Sequence, residues 1–245
     1  MSSSPSLFEA LLARNGAATT AINWCEQDHA VSPHVAEFYN SLSSLAFVVA
    51  GLSMWLTARS LRLPAALLAA GPLTVLTGLA SAAFHATLTL EGQRVDELFE
   101  TLSLVALLHG AQASARALVH AAAAAAGVLF VSAFLFTEVH LIAVAVATGA
   151  QLAGLAQRLP SVAARVRAAA GAGLAGAACW LADRLLCSFL SDSLPLNPQL
   201  HAWWHVLGAV CLHEALACLG AAHAIAGGAK PQPWMLTPLG SVSSR

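Results

Sequence analysis

The chain has very little charge and almost no lysine. Of its 245 residues only 9% are charged and 58% are hydrophobic, and the mean hydropathy is +0.72. Soluble domains carry about 25% charged residues, so this composition excludes an ordinary soluble protein. The net charge of −1 and the lack of polybasic tracts give no reason to expect nucleic acid as a partner. The single lysine, Lys230, follows the last apolar run, which excludes a retinal protein with a buried Schiff base.

Long apolar runs occupy most of the chain. A transmembrane helix needs about 20 apolar residues, and seven runs approach or exceed that length. They cover residues 36–58, 64–85, 95–115, 118–136, 139–157, 168–190 and 199–226. The sequence therefore predicts an all-α polytopic membrane protein built as a bundle of seven transmembrane helices.

The remaining segments predict one membrane domain with two short extensions. Residues 1–35 carry charges and two histidines without a long apolar core, so we expect an extracytoplasmic loop rather than a signal peptide. Residues 36–228 form the predicted membrane domain, which would hold the catalytic site, and residues 229–245 form a predicted tail.

Basic residues predict the orientation of the bundle. With seven spans, the loops after spans one, three and five lie on the same side as the C-terminal tail. That side collects Arg59, Arg62, Arg116, Arg158, Arg165, Arg167, Lys230 and Arg245. The positive-inside rule therefore places the N-terminus outside and the C-terminus in the cytoplasm.

Two histidines stand near the start of the seventh run, in the segment His201-Ala202-Trp203-Trp204-His205. Histidines four residues apart share one face of a helix and can both bind one metal ion. Asn197-Pro198 precedes them and predicts the N-cap and the first residue of that helix. Polar side chains inside a membrane are costly and are commonly functional, so this pair is a candidate metal site.

Other polar residues are predicted at the same depth. Ser81 and His85 share a helix face at the outer end of the second run, and Asp96 begins the third run on the same side. With His201 and His205, three imidazoles would meet there. Three imidazoles and one open position make up a catalytic Zn²⁺ site, whereas structural sites are closed.

The N-terminal loop is rich in oxygen donors. The segment Asn23-Trp24-Cys25-Glu26-Gln27-Asp28 is followed by Glu37. Carboxylates, amides and backbone carbonyls in a loop suit Ca²⁺, which takes six to eight oxygen ligands. A solvated acidic loop fits the same spacing. Glu37 and Asn40 lie just inside the first run, so we expect them to face the bundle interior.

Several other residues carry weaker expectations. We expect Glu138 and His140 in a solvated turn between the fourth and fifth runs, and His109 as a packed core residue. Asp183 is expected to pair either with Arg184 or with the N-terminal loop. Cys25 and Cys187 both fall on the outer side, where disulfides persist. The other cysteines are expected in the core, and they are Cys179, Cys211 and Cys218.

Several separated segments resemble one family, the alkaline ceramidases, which are seven-span membrane amidases related to the adiponectin-receptor-like hydrolases. They occur in family order between residues 23 and 205. The segments are Asn23-Trp24-Cys25-Glu26, Ala36-Glu37-Phe38-Tyr39-Asn40, Ser81 with Phe84-His85-Ala86-Thr87-Leu88, Asp96-Glu97-Leu98, Asp183 with Cys187, and His201-Ala202-Trp203-Trp204-His205. The resemblance implies the same seven-span fold and a membrane-embedded amidase.

The resemblance also implies a set of ligands and a disulfide. It implies Zn²⁺ held by His85, His201 and His205 with Ser81 and Asp96 beside it, and a disulfide between Cys25 and Cys187. It implies a Ca²⁺ site made by Asn23, Trp24, Glu26, Asp28 and Glu37. The family usually has aspartate at position 23 and asparagine at position 28. This chain exchanges them, which leaves the oxygen count and the net charge similar.

The implied activity is hydrolysis of the N-acyl bond of ceramide or a similar N-acyl lipid. Asp96 would then accept a proton from the attacking water, and Ser81 would donate a hydrogen bond to the developing oxyanion. The alanine-rich spans suggest a bacterial inner membrane, with the site on the periplasmic side.

Other classes of protein fit less well. The alternative is a seven-helix receptor or sensor with a structural zinc ion. A rhomboid-type serine protease fits badly because no Gly-x-Ser-Gly surrounds Ser81, and a transporter lacks an obvious inverted repeat.

Overall fold

The described part of the chain is helical. The computed structural model describes Thr20, Ile22 and residues 24–110, 115–128, 134–228 and 236–238. Within these residues there are eight α-helices and no β-strand, which confirms the all-α prediction. The helices are α1 (Phe38–Ser43), α2 (Leu45–Ser60), α3 (Ala65–Thr87), α4 (Leu90–Leu108), α5 (Ala115–Ala126), α6 (Phe134–Arg158), α7 (Ala163–Ser193) and α8 (Leu200–Ala226).

Within the described residues, five helical segments are long and apolar enough to cross a membrane. They are Phe38–Ser60, Ala65–Thr87, Val139–Arg158, Pro160–Ser193 and Leu200–Ala226. The protein is therefore a multi-pass membrane protein. Charged residues lower the hydropathy of α4, which contains Glu91, Arg94, Asp96, Glu97 and Glu100, while α5 has only 12 residues. The count of seven spans remains a prediction, because it requires both of these helices to cross as well.

Two predicted boundaries are wrong. α6 begins at Phe134 and passes through Glu138 and His140 without a break, so neither residue lies in a turn. Residues 134–148 include no glycine or proline, and a single glutamate does not interrupt a helix. α7 begins at Ala163, five residues before the predicted span, so Arg165 lies in the helix and is buried instead of lying in a basic loop.

Glycines bring the backbones of α2 and α3 into direct contact. A Cβ atom on Gly71 would lie 2.6 Å from the backbone nitrogen of Trp55, and one on Gly51 would lie 2.6 Å from that of Val75. In lipid, where hydrophobic attraction between helices is absent, such close packing is a main source of helix association. The contact fixes α3 against α2, and α3 carries Ser81 and His85.

One end of the bundle holds the main hydrophobic core. The short loops 61–64 and 159–162 both contribute to this cluster, together with residues of α2, α3, α4 and α8 such as Met54, Leu67, Leu107 and Leu216. Arg62 belongs to the first loop and Arg158 immediately precedes the second. The structure therefore brings two of the basic segments used for the orientation to the same end.

Replacing Gly71 by alanine should separate α2 from α3. The new methyl group has no room against the backbone of Trp55, so we expect a loss of about 1–3 kcal/mol in the free energy of unfolding. Thermal unfolding in detergent measures the effect. The control is Gly149→Ala, where the added Cβ meets no atom within 4 Å. Equal stability of the two variants would contradict the close contact.

Candidate metal centre

Three buried histidines meet at the end of the bundle opposite the 61–64 and 159–162 loops. His85 lies in the last turn of α3, and His201 and His205 lie in the first two turns of α8. Their exposed fractions are 1%, 4% and 3%. One ring nitrogen of each histidine lies within 4.8 Å of those of the other two. The structure thus brings together the three predicted zinc ligands.

Neighbouring polar groups orient two of the rings. The carboxylate of Glu37 accepts a hydrogen bond from Nδ1 of His85 at 2.5 Å. Nδ1 of His205 lies 2.9 Å from the hydroxyl of Ser43 and 3.4 Å from that of Ser44. In both histidines Nε2 is the nitrogen left for a metal. Such outer-shell hydrogen bonds fix the tautomer and raise the basicity of a metal ligand.

His201 is positioned by its backbone and its ring. Its backbone nitrogen donates to Oδ1 of Asp183 at 3.3 Å, and its imidazole stacks on Trp24 with ring centroids 3.7 Å apart. Its Nδ1 atom is buried and has no hydrogen-bond partner. A buried imidazole nitrogen without a partner is unfavourable, and a metal ligand role removes that cost.

The residues of the cluster fit Zn²⁺. Three neutral imidazoles that converge in a buried site, one of them backed by a carboxylate, are the ligands of catalytic zinc sites, in which a fourth position takes water or substrate. A closed structural zinc site usually includes thiolate ligands, and none of the three candidate ligands here is a thiolate.

Ser81 and Asp96 lie beside the cluster. Ser81 is one turn before His85 on α3 and is only 2% exposed. Asp96 lies on the adjacent helix α4, and its carboxylate is near enough to Ser81 to interact with the hydroxyl. Glu97 and Glu100 are near enough to interact electrostatically with Asp96. The contact between Ser81 and Asp96 therefore joins the two predicted catalytic side chains at the level of the histidines.

The acidic loop folds onto the start of α1. Glu26 is buried, and its two carboxylate oxygens accept from the backbone nitrogens of Tyr39 at 2.7 Å and Asn40 at 2.9 Å. Glu37 accepts from the backbone nitrogen of Trp24 at 3.2 Å and from Nδ2 of Asn40 at 3.0 Å. Asn23, the first predicted Ca²⁺ ligand, lies outside the described residues.

The electrostatics of this loop favour a bound cation. Burial raises the pKa of the Glu26 and Asp28 carboxyl groups, and the nearby negative charge of Glu37 raises both further. Oδ1 of Asp28 and Oδ1 of Asn40 are buried without hydrogen-bond partners. Oxygen donors crowded together in this way suit Ca²⁺, so the residues present fit the ion that the resemblance implies.

A disulfide ties the loop to α7. Cys25 and Cys187 are bonded, with Cα atoms 5.3 Å apart, so this expectation is confirmed. The backbone nitrogen of Cys25 donates to Oδ2 of Asp183 at 3.0 Å. Asp183 therefore contacts the N-terminal loop, which was one of its two expected partners, and it links that loop to His201 through its other oxygen.

The predicted start of the last helix is wrong. α8 begins at Leu200 after Gln199, whose φ of 53° is left-handed, and Asn197 is not its N-cap. Asn197 instead donates from Nδ2 to the carbonyl of Cys25 at 2.6 Å, and its Oδ1 accepts from the backbone of Gln199 at 2.8 Å. Its side chain is held by the N-terminal loop and is not available to cap α8.

Some residues that support the site were not predicted from the sequence. Ser43 and Ser44 support His205, but serines in an apolar helix carry no distinctive signal.

His109, expected as a packed residue, lies 3.0 Å (Nε2 to Nδ1) from His120, which in turn lies 3.1 Å (Nε2 to Nε2) from His140. No pattern in the sequence indicated that these three histidines, from the end of α4, α5 and α6, would form one row.

A buried three-histidine cluster at one end of an apolar helix bundle defines a membrane protein with a candidate metal site. Residues 16–237 match a protein-family model described as Ceramidase. The chain belongs to the ceramidase family and is therefore a hydrolase that acts on amide bonds.

Individual relatives agree with the family match. Alkaline ceramidase YPC1 of Saccharomyces cerevisiae is 29% identical over 231 residues, covering 78% of this chain and 73% of the relative. An alkaline ceramidase of Arabidopsis thaliana is 26% identical over 202 residues, covering 78% and 79%. Alkaline ceramidase 3 of Mus musculus is 34% identical over 83 residues, covering 34% and 31%. These relatives are eukaryotic and give no support to a bacterial membrane.

Removing a histidine of the cluster should remove the metal. We expect His201→Ala and His205→Ala to reduce zinc in the purified protein from about one ion per chain to near zero, because each takes away one of three protein ligands. The control is His223→Ala, an exposed residue at the other end of α8. Elemental analysis after detergent purification gives the stoichiometry, and full zinc content in both cluster variants would refute this site.

Proposed function

We propose that the protein is a zinc-dependent amidase that works within the membrane. It hydrolyses the N-acyl bond of ceramide or a similar N-acyl lipid to a free fatty acid and a sphingoid base or amine. The observation that carries the proposal is the buried cluster of His85, His201 and His205 with Ser81 and Asp96 beside it. The names of the relatives, alkaline ceramidases, support the substrate class.

The chemistry divides between the metal and the protein. When bound, Zn²⁺ supplies Lewis-acid chemistry, because it polarises a carbonyl and lowers the pKa of water. His85, His201 and His205 would hold it, and Glu37 and Ser43 keep two of the three rings in place.

Asp96 is the proposed general base and acid. It accepts a proton from the attacking water and passes it to the leaving amine, so that the amine departs neutral. Ser81 connects this carboxylate to the helix of His85. Its hydroxyl donates a hydrogen bond to the oxyanion that develops on the amide carbonyl, a contribution of about 3 kcal/mol in comparable sites.

The proposed topology has seven spans with the site towards the outer side. Supporting it, the loops 61–64 and 159–162, of which the first contains Arg62 and the second follows Arg158, lie at the end of the bundle opposite the histidines. Residues 1–35 then form the extracytoplasmic loop and residues 229–245 the cytoplasmic tail. Exposed apolar side chains next to the site, among them Leu42 and Trp203, suit a substrate that resides in the bilayer.

We further propose that the N-terminal loop binds Ca²⁺ and that the ion supports the catalytic site. The ligands would be Asn23, Trp24, Glu26, Asp28 and Glu37. The carboxylate of Glu37 supports this link, because it contacts Trp24 through one oxygen and Nδ1 of His85 through the other. A change in the loop therefore reaches a zinc ligand through a single side chain.

Variants of the two catalytic candidates should separate chemistry from folding. We expect Asp96→Ala to abolish fatty-acid release from ceramide and Ser81→Ala to lower kcat by about 100-fold or more, since Ser81 acts on the transition state. Both should retain zinc, because neither is a ligand. Activity near the wild-type level in both variants would refute the mechanism, and zinc without turnover of any N-acyl lipid by the wild type would favour the receptor alternative.

Calcium dependence should follow the loop carboxylates. We expect Asp28→Ala to raise the Ca²⁺ concentration needed for half-maximal amidase activity by about tenfold, since it removes one carboxylate ligand. Activity is titrated with Ca²⁺ after treatment with a calcium-selective chelator. Asp192→Ala, an exposed carboxylate in the last turn of α7, is the matched control and should not change the titration. Identical curves for both variants would exclude this loop as the calcium site.

A further inference from the structure

A buried ion pair joins α7 and α8 away from the histidine cluster. Nη1 of Arg165 donates to Oε2 of Glu214 at 2.5 Å, and both side chains are buried. Arg165 is in the first turn of α7, and Glu214 follows His205 by nine residues, about 13 Å along the axis of α8. The pair belongs to neither the candidate zinc site nor the calcium loop.

The same turn of α8 is also joined to α2. His213 adjoins Glu214, and its Nε2 lies 3.1 Å from the hydroxyl of Ser53 on α2. Its Nδ1 lies 3.9 Å from Oε1 of Glu214. α8 is thus tied to both neighbouring helices at one level by polar contacts, in a region that is otherwise packed with apolar side chains.

Stability alone does not account for a buried ion pair. Removing two charges from water costs about as much as their attraction returns, and apolar replacements are often neutral or stabilising. The best-attested use of buried polar groups is to fix the register of packed helices. In this protein the ion pair has that role only if packing alone does not set the register of α8.

Small residues line the α7 side of its interface with α8. Gly173 lies opposite Cys211, and Gly176 lies opposite Trp204. Small residues let two helices approach closely, but van der Waals packing of this kind includes no charge or hydrogen bond that selects one axial position. At the metal end, the hydrogen bond from the backbone of His201 to Asp183 is long, at 3.3 Å.

We propose that the Arg165–Glu214 ion pair sets the axial register of α8 against α7. It thereby sets the height of His201 and His205 relative to His85. A slide of one turn moves α8 by about 5.4 Å, which would take both histidines out of reach of the metal. Arg165 and Glu214 are then positioning residues. The zinc and activity readouts of this proposal rest on the proposed function, whereas the cross-link readout does not.

A disulfide cross-link can report the register directly. A Cβ atom on Gly173 would lie 4.0 Å from Cβ of Cys211, which is within the range for a disulfide. Gly173→Cys should therefore cross-link to the native Cys211 on mild oxidation, and mass spectrometry of the linked peptides gives the yield. Gly171→Cys is the matched control, because its Cβ meets no atom within 4 Å.

The test adds Arg165→Leu with Glu214→Leu to the Gly173→Cys protein. This double change removes both members of the ion pair together, so neither charge is buried without the other and the protein should still fold. We expect the cross-link yield to fall severalfold and zinc to drop below one ion per chain, with kcat lowered by about 100-fold and KM little changed. Wild-type cross-linking and zinc content in the folded double variant would overturn the proposal.

Two conservative single variants test the register role even if the double variant does not fold. Glu214→Gln keeps the volume and one acceptor oxygen but removes the charge, while Arg165→Lys keeps the charge. We expect lower cross-linking and zinc content in the glutamine variant and near-normal values in the lysine variant. Normal cross-linking and zinc in the glutamine variant would overturn the register role. Cross-linking does not depend on amide hydrolysis, so failure of the proposed function would leave this outcome readable.

Discussion

The carboxylate of Glu37 connects the two halves of the candidate site. One oxygen holds the N-terminal loop through the backbone of Trp24, and the other accepts from Nδ1 of His85 and from the amide of Asn40. A fully buried carboxylate is costly unless its oxygens are paired, so the loop, the start of α1 and the end of α3 must all be in place together. The histidine cluster depends on that arrangement, because it fixes the ring of His85.

Long-range restraints hold the rest of the site in the same way. The carboxylate of Asp183 accepts hydrogen bonds from the backbone nitrogens of Cys25 and His201. The disulfide between Cys25 and Cys187 keeps the loop against α7. The loop is therefore part of the scaffold of the candidate site. A cation there would offset the repulsion among its carboxylates, which gives a physical reason for the proposed calcium site next to the proposed zinc site.

Polar contacts have a particular role in a bundle of this composition. The helices pack through small residues, as at Gly51 and Gly71, which bring the backbones close together. Buried polar contacts such as those of Glu37, Asp183 and Glu214 supply directions and distances that apolar packing does not. The start and the middle of α8, which carries two of the three histidines, are positioned by such contacts.

The sequence by itself determined the all-helical membrane class and the three histidines, because run length and i, i+4 spacing are local properties of a helix. It also indicated Ser81 and Asp96, since polar residues at one predicted depth stand out in an apolar chain. Local patterns failed where distant segments compete for a side chain: Asn197 contacts Cys25 instead of capping α8, and Arg165 pairs with Glu214 instead of facing solvent. Only the tertiary structure decided these partners, because they come from residues 172 and 49 positions away and no local propensity encodes such a contact.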